Sequence, residues 1–383
     1  MQEALHHGKV IREYRERLGL TQDELAQRIG RSRRTIITLE QGAQITDPRL
    51  RRTLALHLHI PLQLLGLSEI VLPEVATLTP VEETPLEAGK HLSRMVFETF
   101  TDNLRMRIDL YYIGSALSAD KGLNTHIDEL TRLISRSSVR DRGLLLIMLS
   151  HNYQLKGMIA RDQLDYEVAE HCFKEASLLA QEAGCPELDA LTMARRANMY
   201  VWQKRLDMAN SLYEAAREIT RRSSPALRAY LATGHAEVQS MLGSSASLVS
   251  LTDARSLLGR VDPADDPLLL LHSTRCSESS INNGWAQAHT LLGKPEVALE
   301  CYDRSEKVLD LSMTRMRARL YTQYAEALYV NKDMSCCFYA AEGLKLARSV
   351  GSQYNIRRVK ELAVKLSTHS AQDHRVKELL QAV

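Results

Sequence analysis

Three segments of this chain repeat one pattern, and the repetition restricts its fold more than any other feature. DYEVAEHCFKEASLLA (165–180), RLDMANSLYEAAREIT (205–220) and KPEVALECYDRSEKVL (294–309) each carry a small residue, an aromatic four positions on and a second small residue three further. The trios are Ala169/Phe173/Ala176, Ala209/Tyr213/Ala216 and Ala298/Tyr302/Ser305. Steps of four and three place each trio on one helical face. Upstream partners Tyr153/Gly157, Met193/Ala197 and Asn282/Ala286 lie sixteen and twelve residues before each first alanine, so each unit reads as a helix pair. A single pair cannot bury such a face, and stacked neighbours are needed to do so.

The first alanines are about 40 residues apart (169 to 209), then about 90 over two units (209 to 298). A looser unit at 318–350 follows after about 39, with Cys337 and Ala341 in the corresponding slots. Residues 225–261 read as another helix pair with an enlarged GSSAS loop, 87–136 as further helix pairs and 353–383 as a helical cap. With 4 Phe, 2 Trp and little strand signal, residues 87–383 form an all-α domain.

The repeated pattern resembles the tetratricopeptide repeat, with longer units than that family's roughly 34 residues. The resemblance implies an α-solenoid with a concave groove lined by the first helix of each pair. Its groove positions fall on Gln154, Met158, Arg161, Asn198, Asn283, Gln287, Thr322, Glu326 and Tyr329. Amides there suit an extended peptide, because Asn and Gln donate and accept together. Trp202 and Trp285 read as packing residues rather than ligand platforms.

A chain of 383 residues exceeds one ordinary core, so more than one domain is expected. The longest apolar run, GLLLIMLS at 143–150, is far short of the roughly 20 residues that span a bilayer. With no charged-then-apolar leader, the chain is expected in the cytoplasm. Its six cysteines, Cys172, Cys185, Cys276, Cys301, Cys336 and Cys337, form no CxxC pair and read as buried thiols, with the Cys336–Cys337 pair the one candidate for redox sensing. No phosphate-binding loop, dinucleotide fingerprint, HExxH or GxSxG occurs. The local pair His171–Cys172 sits in a repeat helix, where neighbours face different ways. No enzyme, cofactor or metal is expected.

Charge is uneven. Residues 1–67 hold eleven Lys/Arg against seven Asp/Glu, a local +4, and with +2 overall the remainder carries −2. A basic head on an acidic body points to a polyanion at the head. The head reads as five short helices. Val10, Tyr14 and Leu18 give the first an apolar face, and Gly19 stops it. Thr21 with Glu24 makes a capping box for a second helix, whose Leu25, Ala26 and Ile29 point inward and whose end is Gly30. Ser32 caps a third helix with Ile36 and Leu39 inward, so Arg33, Arg34, Ile37 and Thr38 face out. Asp47–Pro48 opens a fourth along Leu50, Leu54 and Leu58, and PLQLLGL (61–67) forms a fifth.

LTQDELAQRIGRSRRTIITLEQG followed by LRRTLALHLHIPLQLLGL closely resembles the XRE/Cro-like helix-turn-helix domain of phage repressors, over about 60 residues. That resemblance implies a lambda-repressor-like fold with the third helix in the major groove of double-stranded DNA. It makes Arg33, Arg34, Ile37 and Thr38 base readers: arginine forks onto guanine, and an isoleucine presses on a thymine methyl. It puts Thr21, Gln22, Ser32 and Gln41 at helix ends against phosphates, and makes Arg15–Glu40 a structural ion pair. His57 and His59 depart from the family pattern and suggest a distorted fourth helix; with no third ligand nearby they do not read as a metal site.

Residues 68–86 lose all helical period and hold three prolines, which marks a linker between the head (1–67) and the helical-repeat domain (87–383). An XRE-type head joined to a tetratricopeptide-like body resembles the peptide-pheromone receptors of the RRNPP class. That implies a homodimer, a palindromic operator and a short peptide effector in the groove. Two alternatives stay open: a DNA-binding regulator controlled by a protein partner, and an interaction scaffold that does not bind DNA.

Overall fold

The computed structural model describes residues 7–29, 31–43, 45, 48–58, 60, 65, 92, 94–262, 270–370 and 372–383. They fall into two units, Met1–Glu83 and Thr84–Val383, and every regular element described in them is helical.

The first unit holds α1 (His7–Arg17), α2 (Gln22–Arg28), α3 (Arg33–Glu40) and α4 (Pro48–Leu58). Ile11, Leu25, Ile36, Leu54, Leu58 and Leu65 are fully buried at its centre. The expected capping box forms: Glu24 donates its backbone N–H to the Thr21 hydroxyl, and Thr21 N–H returns to the Glu24 carboxylate at 2.7 Å. Ser32 caps α3 through the Thr35 N–H at 3.2 Å. The inward face of α1 differs from the expected one. Leu18 is exposed, Val10 and Tyr14 sit at the core's edge, and Gly8, Ile11 and Arg15 point in. Gly8 causes the rotation: α1 lies so close to α3 that a Cβ there would stand 2.4 Å from the Leu39 carbonyl oxygen. The expected features at Gly30, Asp47, His59 and the linker 68–86 lie outside the described residues, as does the fifth helix apart from buried Leu65.

The second unit runs α5 (Arg94–Ile113), α6 (Ala116–Asp120), α7 (Leu123–Arg136), α8 (Val139–Asp162), α9 (Tyr166–Glu182), α10 (Pro186–Trp202), α11 (Leu206–Ile219), α12 (Pro225–Met241), α13 (Ala246–Leu258), α14 (Leu270–Thr274), α15 (Glu278–Leu291), α16 (Pro295–Val308), α17 (Thr314–Val330), α18 (Cys336–Ser349), α19 (Gln353–Ser370) and α20 (His374–Ala382). The heaviest packing is within the pairs α8–α9, α10–α11, α12–α13, α15–α16 and α17–α18. Each pair turns through one left-handed residue two positions past its first helix: Leu164, Lys204, Gly243, Gly293 and Lys332, with φ of 68°, 60°, 74°, 74° and 59°. Three of these are not glycine, so pair packing overrides a local cost of about 1–2 kcal/mol.

The repeated trios are the seams of these pairs. Ala169, Phe173, Ala176, Ala209, Tyr213, Ala216, Ala298, Tyr302 and Ser305 are all buried. Phe173 fills the space left by Gly157, where a Cβ would stand 2.7 Å from its ring. In the fourth unit the expected slots are half matched: Cys337 is buried, five residues past the left-handed Lys332 as in the other units, but Ala341 is not. Ala341 is exposed, and Cys336, Ala340 and Gly343 make a second buried set beside Cys337, with Gly343 packed onto the backbone of Thr322.

The series of pairs returns to its own beginning. Arg315 on α17 is buried, and its guanidinium joins three distant segments. Its Nε donates to the Tyr111 carbonyl at 2.6 Å, Nη2 to the Val350 carbonyl at 2.7 Å, and Nη1 pairs with Asp162. Ser352 donates to the other Asp162 oxygen at 2.8 Å, and the Gln163 side chain to the Gly351 carbonyl at 2.8 Å. Trp202 stacks on Tyr354 with centroids 3.7 Å apart. Gly157→Ala is expected to cost about 1–3 kcal/mol through overpacking against Phe173, whereas Lys204→Gly should gain up to about 1 kcal/mol by relieving a left-handed lysine. Urea midpoints of the full chain check both signs.

Candidate nucleic-acid interface and interior cavity

The first unit presents α3 on a rigid base. Arg15, buried on α1, donates from Nε to Glu40 Oε1 at 2.5 Å, from Nη2 to Glu40 Oε2 at 3.2 Å and from Nη1 to the Leu20 carbonyl at 2.8 Å. The fork fixes the end of α3 against α1 and raises the Arg15 pKa, chiefly through its hydrogen bond to Glu40. Gln22 joins the network, its amide donating to Glu40 Oε2 at 2.8 Å. In this arrangement Gln22 braces α3 instead of standing free at a helix end.

The outward face of α3 carries the expected readers. Arg33, Arg34 and Thr38 are exposed and Ile37 half-buried. Thr38 donates its hydroxyl to the Arg34 carbonyl at 2.8 Å, which leaves its lone pairs outward. Arg33 lies 3.7 Å from Asp23, with both side chains more than half exposed. Such a pair is worth at most about 1 kcal/mol and releases easily to a stronger anion. Thr21, Ser32 and Gln41 are exposed at helix ends, the first two with their side chains engaged as caps.

The second unit holds a partly open cavity of about 180 Å³ lined from α5, α8, α10, α12, α14, α15, α16, α17 and α19. Five expected groove residues line it: Met158, Arg161, Asn198, Asn283 and Gln287. The other four do not. Gln154 is fully buried behind the wall, accepting from Arg195 Nη1 at 2.7 Å. Thr322 is fully buried, its hydroxyl returning to the Ala318 carbonyl at 2.8 Å. Glu326 is forked onto Arg358, with Nε at 2.9 Å, and Tyr329 packs on the C-terminal core.

The lining amides are largely occupied by the protein. Asn198 accepts from the Tyr213 hydroxyl at 2.7 Å, and Gln287 donates to Glu237 at 3.1 Å while accepting from Gln323 at 2.9 Å. Asn283 donates to Gln323 at 2.8 Å, but its Oδ1 is buried without a partner. Trp202, expected as packing, lines the cavity as well, with the Arg161 guanidinium 4.2 Å above its ring. Trp285 is half-buried away from it.

Sequence reasoning missed the charged lining: Arg195, Arg275, Arg315, Arg319, Asp162 and Glu237. Two of these were within reach, since Arg195 stands three residues before Asn198 and Arg319 three before Thr322, one helical turn along the chosen faces. Burial alone would raise the Glu237 carboxyl, yet Arg319 and the Gln287 amide hold it below its usual range. Burial also pushes the thiols up, Cys172 to about 11 and Cys336 to about 12, the opposite of what a redox sensor needs. His171 is exposed while Cys172 is buried, so the two do not form a site. No three His, Cys, Asp or Glu side chains cluster as metal ligands among the described residues, and no described helix is long and apolar enough to cross a membrane.

Residues 8–65 match the family described as the helix-turn-helix domain. A curated relative from Methanothermobacter thermautotrophicus, described as an uncharacterized HTH-type transcriptional regulator, is 64% identical over 33 residues. The match covers 9% of this chain and 48% of the relative, so the chain spans about half that protein's length. The N-terminal unit is a helix-turn-helix domain. Arg15→Met is expected to strip hydrogen-exchange protection from α1 and α3, because it strands the buried Glu40 charge at a cost of about 3–5 kcal/mol. Arg15→Met/Glu40→Leu should recover most of that protection; equal loss in both variants would mean the pair does not brace α3.

Proposed function

We propose that this chain is a sequence-specific DNA-binding transcriptional regulator whose helical body holds an effector that sets operator binding. One observation carries the reading: within a helix-turn-helix match, α3 is capped at one end, forked to α1 at the other, and turns Arg33, Arg34, Ile37 and Thr38 outward. A locked helix with an unlocked basic face is what groove reading requires, because base contacts need fixed geometry and free donors. In this reading Arg33 and Arg34 read guanines, Thr38 and Ile37 read a neighbouring step, and Thr21, Gln22, Ser32 and Gln41 lie along the phosphates. Gln22 would leave Glu40 to do so. The description of the archaeal relative as a transcriptional regulator supports it.

The body is read as a tetratricopeptide-like solenoid. Five helix pairs with one turn geometry, joined through small-residue seams, support that reading. Its cavity is the place for an effector, here a short peptide or part of one, and occupancy shifts the population of body conformations and hence the presentation of the heads. A single small domain buries too little surface for tight specific binding, so the reading includes a homodimer on a palindromic operator.

Selection of bound duplexes from a random pool tests it. The wild type should enrich a palindromic motif, and Arg33→Ala/Arg34→Ala should enrich none. Arg33→Ala alone should lose about 1–3 kcal/mol and relax one base position. A uniform loss over all sequences would make Arg33 a phosphate contact, and no motif from the wild type would exclude sequence-specific reading.

A further inference from the structure

The charges around the cavity do not balance. Five arginines line it, Arg161, Arg195, Arg275, Arg315 and Arg319. Three have carboxylates: Arg275 pairs with Asp109, Arg315 with Asp162 and Arg319 with Glu237. Arg195 is 4% exposed, yet among the described residues it donates only to neutral oxygens, Gln154 Oε1 at 2.7 Å and the Ser273 carbonyl at 3.1 Å. Arg161 is 8% exposed, lies on the Trp202 ring, makes no ion pair among the described residues, and its Nε is buried without a hydrogen-bond partner.

Arg195 is thus held out of water without a carboxylate, and Arg161 has near it only Asp162, which is already paired with Arg315. Arginine does not shed its proton at any ordinary pH, so neither can escape by neutralising. Stranding one such charge costs several kcal/mol, and an apolar residue of similar length would be the cheaper wall. Groups that break a local rule at a stability cost mark functional sites. Burial is the main cause that lowers the Arg195 pKa, and the nearby Arg161 charge adds to it.

We infer that the cavity binds an anionic ligand, with Arg161 and Arg195 holding its oxyanion. The inference rests on reading the body as an effector-binding domain and names the chemistry of the effector. A planar guanidinium forks onto carboxylate or phosphate oxygens with two parallel bonds, and a dry site strengthens each. The partnerless Asn283 Oδ1 on the same wall accepts an N–H or O–H, so the ligand carries a donor as well as its anion. Two sources offer this chemistry: the C-terminal carboxylate of a short peptide, and a free small anion.

The test uses the full chain carrying Trp285→Phe, which leaves Trp202 as the single tryptophan beside Arg161. The probes are sodium citrate, sodium phosphate, and mixed random pentapeptides as free acids and as C-terminal amides, all at one ionic strength set with chloride. Trp202 emission and Tm are read together. The expected result is a saturable emission change and a raised Tm with citrate or phosphate, or with free-acid but not amidated peptides; which arm responds identifies the source. Arg161→Met/Arg195→Met should abolish both changes and show an unliganded Tm at or above its parent. Arg161→Lys keeps the charge without the fork and should weaken the response about tenfold or more, the loss of one charge-assisted hydrogen bond. No saturable change with any probe, or an unaltered response in the variants, would overturn the inference. The duplex selection above does not depend on this outcome.

Discussion

The body depends on one buried guanidinium. Arg315 ties the end of α5, the end of α8 and the turn between α18 and α19 to α17, although these segments lie up to 204 residues apart in sequence. Every bond it makes is charge-assisted, and its carboxylate partner is itself satisfied by Ser352. Removing one side of such a pair costs about 3–5 kcal/mol, since the other charge is left buried. Helix pairs alone would make an open series in which each touches its neighbours. The Arg315 node brings the first and last pairs together, and Arg315 and Asp162 both line the cavity.

Local chemistry was legible in the sequence, and long-range chemistry was not. The capping box at Thr21–Glu24, the Ser32 cap and the inward Ile36 and Leu39 follow from spacings within one turn of helix, and all are present. The small–aromatic–small trios announced the helix pairs for the same reason. The face of α1 was misjudged because its rotation is set by Gly8 meeting α3, a contact between helices. The groove positions were half legible. A repeat register says which side of a first helix faces inward, but not how far closure buries it. Gln154 and Thr322 therefore lie behind the wall, while Arg195 and Arg319, one turn along, line the cavity. In the fourth unit Cys337 is buried as its slot requires, whereas the exposure of Ala341 goes with the contact of Gly343 with Thr322, again a contact between helices.

The two units divide the physical work. In the first, polar groups are spent on rigidity: Arg15, Glu40 and Gln22 satisfy one another, and the donors of Arg33 and Arg34 stay in water, where a polyanion can recruit them at little desolvation cost. In the second, Arg195 is buried against neutral oxygens and Arg161 shares the Asp162 carboxylate with Arg315, a shortage of negative charge that the proposed anion would offset. The proposed regulation needs both kinds of site, one poised outward for DNA and one whose occupancy changes the energy of the protein itself.

In the proposed regulator, cavity occupancy and DNA binding share one free energy. Linkage makes this measurable: whatever factor an occupied cavity applies to operator affinity, bound operator must apply to the ligand's affinity. The measurement is a pair of titrations of the full chain, operator duplex with and without the most stabilising anion or peptide probe, and that probe with and without operator. Equal factors, each different from one, are expected. Identical operator affinity with the cavity empty and filled would contradict that linkage.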